Sequence, residues 1–339
     1  MSTNIKIQLK EAKKLYDSKK YDESLELFEQ LFNENPQDFD FNSKISYCWA
    51  IYQVHVKNFS DVDELYDSVE FITELIPQAD LNVVNTCPYT FSVFKVLDFI
   101  YKQKEYYNLF DWLDMINPNL LDEKRSNFKG RVYRSRKEKY YDYASKSYLE
   151  CADWDLCIET SKEALSSLKI FTNYGDTWHR WRIAKALKEL NQNYEALNYL
   201  NEVLNVKKEW FVFKEFVANY YILNETGKVM DFIPDAVLTD DSIKMKVNLY
   251  YLIYHILKDS NYEIALIHAQ LYYLLKSENN SEILEDIEEL QINGDDLDKE
   301  KLVNKINEFW MTFKFENKEL TKYFNDNNES LELIPIRGE

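Results

Sequence analysis

A short pattern that recurs along the chain constrains the fold more than any other feature. Each copy has a helix-length apolar segment, a polar turn that ends in an aromatic residue, and a small residue near the start of a second segment. The four clearest copies are residues 20–25, 153–158, 193–197 and 261–266. Because a small residue lets two helices approach closely, each copy predicts an antiparallel helix pair with the aromatic ring packed back on it.

The scarcity of turn-forming residues favours long helices. The 339 residues include 5 Gly and 6 Pro, which are the usual residues of tight turns. Hydrophobic residues make up 45% and charged residues 29%, a balance typical of globular rather than disordered chains. We therefore expect long helices joined by short polar loops, with no sheet in residues 5–316.

The four copies resemble the tetratricopeptide repeat, a helix–turn–helix unit of about 34 residues. The matching positions are Ala12, Leu15, Ser24, Phe28 and Pro36 in the first unit, Ala144, Tyr148, Cys157 and Ala164 in the second, Ile183, Ala184, Leu187, Ala196, Leu200 and Val203 in the third, and Leu249, Leu252 and Ala265 in the fourth. The Trp and Gly of the strict pattern are mostly absent, so the repeats are divergent. The resemblance implies an all-α fold, an α-solenoid of about seven antiparallel helix pairs in one superhelix, whose first helices line a concave groove.

Looser helix pairs fill the intervals between the clear units. They are residues 43–55 with 61–76, 89–102 with 106–116, and 210–223 with 228–237. We interpret residues 5–277 as the repeat domain and residues 278–316 as an acidic helical cap with helices over 283–290 and 298–315. A solenoid needs a cap because its last apolar face has no neighbour. Residues 317–339 are interpreted as a polar tail, with 333–339 as the first strand of a truncated further domain.

A second, looser resemblance concerns residues 207–211, which open a helix directly after a repeat, and residues 272–276, which precede an acidic helix. These segments look like parts of bacterial tetratricopeptide proteins from anti-phage defence gene clusters. Some of those proteins continue into a cold-shock-like barrel. The resemblance implies a bacterial protein with a role in antiviral defence.

The motifs of the common enzyme chemistries are missing from the sequence. The five glycines are isolated, whereas a phosphate-binding loop needs several close together. The four histidines lack metal-ligand spacing, and His268, beside Ala265 and Ala269, is interpreted as a histidine of the core or its rim. The acidic run 278–300 is interpreted as a solvated surface rather than a calcium site. We therefore expect no enzyme activity, no catalytic residue, no cofactor, no metal and no small-molecule substrate.

The sequence shows no sign of secretion or membrane insertion. Its start lacks the apolar run of a signal peptide, and its most apolar stretches fall far short of the roughly 18 residues that cross a bilayer. The cysteines form no CxxC pair, and we expect reduced, buried thiols at Cys48, Cys87, Cys151 and Cys157. These observations predict a cytoplasmic protein without a membrane partner.

One basic segment interrupts a strongly acidic chain. Residues 124–139 contain eight Lys and Arg against one acid, Glu138, and so carry +7, which leaves −25 for the rest of a chain whose net charge is −18. Phe128, Tyr133 and Tyr140 are interleaved with the cations. Two interpretations stay open. The segment either binds an acidic or phosphate-rich partner or neutralises acidic neighbours within the fold.

Aromatic and basic side chains also share one face of the first helix in the third clear unit. At 100° per residue, the side chains that fall within an arc of about 80°, away from the apolar stripe, are Trp178, Trp181, Lys185 and Lys188. The repeat resemblance places this face in the concave groove, together with Lys139 and Lys146 of the preceding repeat. The two tryptophans either anchor a partner or pack on the preceding repeat.

These observations favour a scaffold or adaptor that binds a protein or peptide of acidic character in its groove. The expected partner-binding residues are Arg131, Arg134, Arg136, Lys139, Lys146, Trp178, Trp181, Lys185 and Lys188. The alternative is an accessory subunit that contacts nucleic acid in a bacterial anti-phage defence complex. Nucleic acid is the less favoured partner because the net charge of −18 opposes its approach.

Overall fold

The computed structural model describes residues 3–78 and 87–328, with side chains from residue 4 through 317. The chain divides into two compact units, Met1–Ala186 and Leu187–Glu339. Helices form nearly all of the regular structure, and most of them pack on helices that are close in the sequence. The predicted all-α fold of solenoid type is therefore confirmed, and each unit consists of successive antiparallel helix pairs.

The first unit begins with a tight pair, α1 (Thr3–Asp17) and α2 (Tyr21–Glu34). It continues with α3 (Phe41–Ile51), a π-helical turn at Tyr52–Val56, α4 (Val62–Leu75), α5 (Pro88–Gln103) and the short α6 (Phe110–Asp114). After the hairpin of β1 (Ser126–Phe128) and β2 (Arg131–Tyr133) come α7 (Arg136–Glu150), α8 (Trp154–Ser167) and α9 (Gly175–Glu189), which runs into the second unit. Short 3₁₀ turns lie at Pro36–Asp38, Tyr106–Leu109 and Pro118–Leu120.

The second unit contains α10 (Asn193–Leu204), α11 (Trp210–Ile222), α12 (Thr226–Val237), α13 (Val247–Leu257), α14 (Tyr262–Glu278), α15 (Glu285–Glu288) and α16 (Lys299–Asn328). Its 3₁₀ turns lie at Ile243–Lys246 and Gly294–Asp296. Helix α16 packs on both α12 and α14. There the fully buried Trp310 donates its indole N–H to His268 Nε2 at 3.0 Å, so the expectation that His268 belongs to the core is confirmed.

The turn between two helices repeats one backbone geometry. A residue with φ between 57° and 63° ends the first helix, and the next amide donates to the carbonyl five residues earlier; the left-handed residues are Lys19, Lys104, Ala152, Asn191 and Asn224. This bond satisfies a carbonyl that the helix end would leave without a partner. Five positions after the left-handed residue, Ser24, Cys157 and Ala196 are fully buried. In the first pair the Ser24 hydroxyl donates to the Ala12 carbonyl at 2.8 Å, so the helices touch at the small residues.

The expectation that residues 5–316 contain no sheet is wrong at one place, inside the basic segment. There β1 and β2 pair in antiparallel fashion, with Phe128 opposite Arg131. Lys129 and Gly130 turn the chain with φ of 51° and 76°, the backbone geometry that matches the twist of a two-residue hairpin. All six strand residues are exposed, so no alternation of apolar and polar residues marks the strands in the sequence.

Two predicted helices are much shorter in the structure. Residues 106–116 form a 3₁₀ turn followed by the five-residue α6, and residues 283–290 contain the four-residue α15. Tyr, Asn, Phe and Asp, which are weak helix formers, dominate the first segment. Like charges three and four residues apart disfavour a helix in the second, acidic segment.

Other expectations have mixed outcomes. Three cysteines are buried as expected, whereas Cys151 is half-buried, and none of the four forms a disulfide. Helix α16 extends to Asn328, beyond the predicted 298–315. The strand expected over 333–339 lies outside the described residues. Across residues 3–78 and 87–328, no helix is long and apolar enough to cross a membrane.

Candidate functional site

A buried polar network connects α7 with α9. Glu138, Asp142 and Ser145 lie on one face of α7, and His179 and Arg182 lie on α9. The Arg182 guanidinium donates to the Asp142 carboxylate at 2.6 Å and to the Ser145 hydroxyl at 3.1 Å. The Ser145 oxygen also lies 3.3 Å from His179 Nδ1. The network therefore fixes the register of α7 against the part of α9 that belongs to the first unit.

Two guanidiniums share the single carboxylate of Asp142. Arg134, which precedes α7, forms an ion pair with Oδ2, and Arg182 bonds to Oδ1. In the described part of the chain, no other carboxylate lies within ion-pair distance of either arginine. Glu138 acts on Arg134 only from farther away, and its own oxygens are bonded to Thr172. The three-residue group carries one positive charge in excess.

The charge states of the network follow from burial and from these neighbours. Burial alone would raise the pKa of Asp142, but the charges of Arg182 and Arg134 outweigh burial and lower it. Burial, with the charge of Arg182, lowers the pKa of His179 to about 3. Asp142 is therefore ionised near pH 7 and His179 is neutral. The two arginines and Asp142 together keep their net charge of +1, and His179 does not change it.

Glu138 attaches the loop before α9 to the first turn of α7. Its backbone amide donates to the Ser135 hydroxyl at 3.0 Å, which caps α7. Its carboxylate accepts from the Thr172 amide at 2.6 Å and from the Thr172 hydroxyl at 3.0 Å. A Cβ at Gly175 would lie 3.0 Å from a Glu138 carboxylate oxygen, so a larger residue here would crowd this carboxylate. The one acid of the basic segment therefore accepts hydrogen bonds from the loop before α9.

A cleft of about 350 Å³, here called the aromatic cleft, lies between α5, α7 and α9. Its lining residues are Tyr101, Arg134, Asp142, Lys146, Leu149, Glu150, Trp178, Trp181 and Arg182. The two indole rings meet edge to face, with centroids 5.8 Å apart. Lys185 Nζ lies 4.7 Å above the Trp181 ring, and Lys146 Nζ lies 5.5 Å from the Tyr101 ring centroid. Cations and aromatic faces therefore alternate along this wall.

The structure brings part of the predicted binding set together. Four of its members line the aromatic cleft, and Lys185 lies beside them; the four are Arg134, Lys146, Trp178 and Trp181. Arg136 instead stacks 4.3 Å from the Phe91 ring centroid. Lys139 pairs with Asp98 at 2.5 Å. Lys188 lies in the second unit and bonds to Glu215 at 3.0 Å.

The ninth predicted residue, Arg131, is exposed on β2 and lines a second cleft of about 700 Å³, here called the hairpin cleft. The residues around it are Gly130, Arg131, Val132, Tyr133, Arg134, Lys139, Tyr143, Thr172 and Asn173. Some cations of the basic segment neutralise acidic neighbours, and others remain accessible to a partner. Arg134, which follows β2, pairs with Asp142, and Lys139 of α7 pairs with Asp98. Arg131 of the hairpin is exposed instead.

The fold resembles that of solved helical proteins. The apo form of RapI matches 96% of this chain and 92% of its own, with a TM-score of 0.51 at 14% identity. The chain has a tetratricopeptide-like helical repeat fold. A Rap protein complexed with competence and sporulation factor matches 97% of this chain and 93% of its own, with a TM-score of 0.43 at 13% identity. No family model matches the chain, and no curated protein matches its sequence.

The sequence interpretation missed the centre of the site. Asp142, His179 and Arg182 were not among the expected residues, and neither was Tyr101, which supplies a third aromatic wall. A signal was present, because Glu138, Asp142 and Ser145 follow one another at helical spacing on a face that is otherwise buried. A stripe of polar residues on a buried face requires partners on the neighbouring helix.

Proposed function

We propose that the chain is a cytoplasmic, non-enzymatic scaffold or adaptor that binds an acidic protein or peptide segment in the aromatic cleft. One observation carries this proposal. Two guanidiniums share one carboxylate beside two edge-to-face indole rings, at the wall of an open cleft on the first helices of successive pairs. A cleft with aromatic anchors and an excess cation suits a segment that has an apolar side chain next to a carboxylate.

The charge distribution in the aromatic cleft determines the orientation in which an acidic segment would bind. Arg134 keeps about a third of its side chain exposed, 34%, whereas Arg182 is buried. A ligand carboxylate that reaches Arg134 would neutralise the excess charge of the buried group, in a site where ion pairs are stronger than in water. Glu150 also lines the cleft and would repel the same carboxylate. The acidic group of the ligand therefore belongs at the Arg134 side.

The indole rings would supply most of the affinity. Trp178 and Trp181 are half-buried, so a ligand side chain placed against them removes more apolar surface from water. Tryptophan in a desolvated pocket is a frequent hot spot, worth about 2 kcal/mol or more on truncation. Lys146 and Lys185 lie over aromatic rings, which holds their side chains in place before a ligand arrives. The alternative, a nucleic-acid-contacting subunit of an anti-phage complex, stays a prediction from the sequence.

The test is a selection of displayed random 12-residue peptides on the immobilised full chain. We expect enrichment of Asp or Glu near an aromatic or aliphatic residue. For a selected peptide, Trp181→Ala should weaken binding by about 2 kcal/mol, close to thirtyfold, mainly through faster dissociation. Arg134→Gln should remove the preference for acidic peptides.

The matched control is Trp49→Ala, which truncates a half-buried tryptophan of α3 outside the cleft. It should leave the affinity of the selected peptides unchanged. The proposal is wrong if the selection yields no enriched motif, or if Trp181→Ala and Trp49→Ala bind the selected peptides alike while both variants remain folded by circular dichroism.

A further inference from the structure

The β1–β2 hairpin carries exposed aromatic rings and cations on the same face. Residues directly opposite in an antiparallel pair share a face, as do residues two apart in one strand. Phe128 lies opposite Arg131, and Tyr133 follows two positions later, so all three side chains are on one side of the hairpin. Phe128 is 62% and Tyr133 45% exposed, although aromatic residues of this size are usually buried.

The hairpin is also a concentrated source of positive charge. Residues 124–133 contain Lys124, Arg125, Lys129 and Arg131 and no acid. Among the described side chains, no carboxylate lies within ion-pair distance of these four cations. They differ in this from Arg134 and Lys139, which are paired with acids of the fold. Internal neutralisation therefore does not explain the cations of the hairpin.

The hairpin cleft, which Arg131 and Tyr133 of this face line, has a composition suited to an anion. Three cations, Arg131, Arg134 and Lys139, contribute to its wall, and none of its lining residues is Asp or Glu. The aromatic cleft differs, because Asp142 and Glu150 line it. A volume of about 700 Å³ is ample for a small organic ligand.

The chemistry of these groups specifies the ligand. A guanidinium binds phosphate through two parallel hydrogen bonds, and an exposed tyrosine ring stacks on a planar base. Phosphate and base occur together, a few ångströms apart, in a nucleotide. A long polyanion would also meet the field of a chain with net charge −18, whereas a single nucleotide meets mainly the local cations.

We propose that the hairpin cleft binds a nucleotide, with its phosphate on Arg131 and Arg134 and its base on the ring of Tyr133. The bound nucleotide is either a free mononucleotide or the terminal nucleotide of a single strand, because both present the same phosphate and base. The hairpin cleft adjoins the aromatic cleft that the proposed function uses: the two share Arg134, whereas Arg131 and Tyr133 line the hairpin cleft alone.

The test is isothermal titration of the full chain with adenosine monophosphate, inorganic phosphate, a phosphoserine peptide and a six-residue oligodeoxyadenylate. Adenosine monophosphate should bind saturably and at least about tenfold more tightly than inorganic phosphate, because stacking adds to the phosphate contact. Arg131→Glu should weaken binding by about tenfold or more. Equal affinity per site for the oligonucleotide and the mononucleotide indicates a free nucleotide, and a clear gain for the oligonucleotide indicates a strand end.

Two matched pairs of variants separate the contributions. Tyr133→Ala should weaken binding of adenosine monophosphate by about tenfold, and Tyr133→Phe, which keeps the ring, should retain it. Lys57→Glu makes the same charge change as Arg131→Glu at an exposed lysine of the first unit and should have no effect. Trp181→Ala should also leave nucleotide binding intact, so failure here is distinguishable from failure of peptide binding. Absence of saturable binding, equal binding of inorganic phosphate, tighter binding of the phosphoserine peptide, or insensitivity to Arg131→Glu would each overturn the proposal.

Discussion

The α7–α9 region and the α13–α16 region both bury helix faces, but the chemistry of the buried side chains differs. Between α7 and α9, the buried side chains include Glu138, Asp142, His179 and Arg182. In the described part of α13 through α16, His268 is the one buried polar side chain, and it lies among leucine, isoleucine, alanine and aromatic residues. One region therefore depends on charges that satisfy one another, and the other on apolar packing.

The two interiors differ in what they contribute to stability, and under the proposed function the polar one also supports recognition. Burial of apolar side chains contributes to stability roughly in proportion to area. A buried ion pair contributes little net stability, because the desolvation of its charges offsets their attraction, yet loss of one partner is costly. The polar region also adjoins the aromatic cleft, whereas α16 covers α12 and α14. The buried charged network of α7 and α9 therefore lies next to the cleft in which the proposed ligand would interact with it.

The largest effect should follow removal of the shared carboxylate. Asp142→Asn leaves Arg134 and Arg182 without their ion-pair partner, and we expect the free energy of unfolding to fall by about 3–5 kcal/mol. Urea unfolding followed by circular dichroism measures the loss. Glu159→Gln, at an exposed carboxylate of α8, is the control and should change stability by less than about 0.5 kcal/mol. A loss for Asp142→Asn as small as that of the control would contradict the comparison.

Acid sensitivity should be common to both regions, through one buried histidine in each. Burial lowers the pKa of His268 to about 4, so below pH 6.5 the unfolded chain binds a proton that the folded chain does not. Stability is complete above this pH and falls by about 3 kcal/mol as the pH drops from 6.5 to 4. His179, with its pKa near 3, adds a similar slope.

The variants His268→Gln and His179→Gln should each flatten the dependence of unfolding free energy on pH between 6.5 and 4.5. Their slopes should coincide with that of the unmodified chain above pH 7.5, where histidine is neutral in both states. Urea titrations at each pH provide the slopes. An unaltered slope for His268→Gln would mean that this histidine is protonated inside the core.

Tolerance to added volume should distinguish packed positions from exposed ones. Ala265 is fully buried in α14, as is Ala196 in α10, so replacement of either by Leu should overpack its surroundings and cost about 1–3 kcal/mol. Thermal unfolding monitors the loss. Glu263→Leu adds a similar side chain at an exposed position of α14 and should leave the melting temperature nearly unchanged. Equal melting temperatures for Ala265→Leu and Glu263→Leu would remove the packing argument.

The smallest effect should be a gain in the polar region. The Ser147 hydroxyl is buried and has no hydrogen-bond partner among the described residues. Ser147→Ala removes that unsatisfied group and should stabilise the chain by about 1 kcal/mol. Ser145→Ala, two residues earlier on α7, removes a hydroxyl that accepts from Arg182 and should destabilise the chain by a similar amount. Effects of the same sign for both variants would refute this reading of the network.

Much of the helix framework could be predicted from the sequence, because its signal is local. The structure places α5 at Pro88–Gln103 and α12 at Thr226–Val237, within two residues of the predicted helices over 89–102 and 228–237. Small residues at close helix contacts and apolar periodicity suffice for this. The hairpin could not be found in the same way, because its exposed residues leave no pattern of burial.

The site was only partly predictable, because its central contacts are distant in the sequence. The indoles of Trp178 and Trp181 could be placed on one helix face from their spacing alone. The pairing of Asp142 with Arg182 spans 40 residues and depends on the register of α7 against α9. Charge counting identified the basic segment but could not separate its paired cations from its exposed ones. Only the fold determines that Lys139 contacts Asp98 while Arg131 is exposed to solvent.

The crossed indoles of the aromatic cleft have an optical consequence. Trp178 and Trp181 lie with ring centroids 5.8 Å apart and planes inclined by 88°. Electronic transitions of two chromophores this close couple, and a near-perpendicular pair held in a chiral frame gives a near-ultraviolet circular dichroism couplet. Rotation of either ring about its side-chain bonds changes the sign or size of the couplet. Occupancy of the aromatic cleft should therefore be visible in the spectrum of the unlabelled chain.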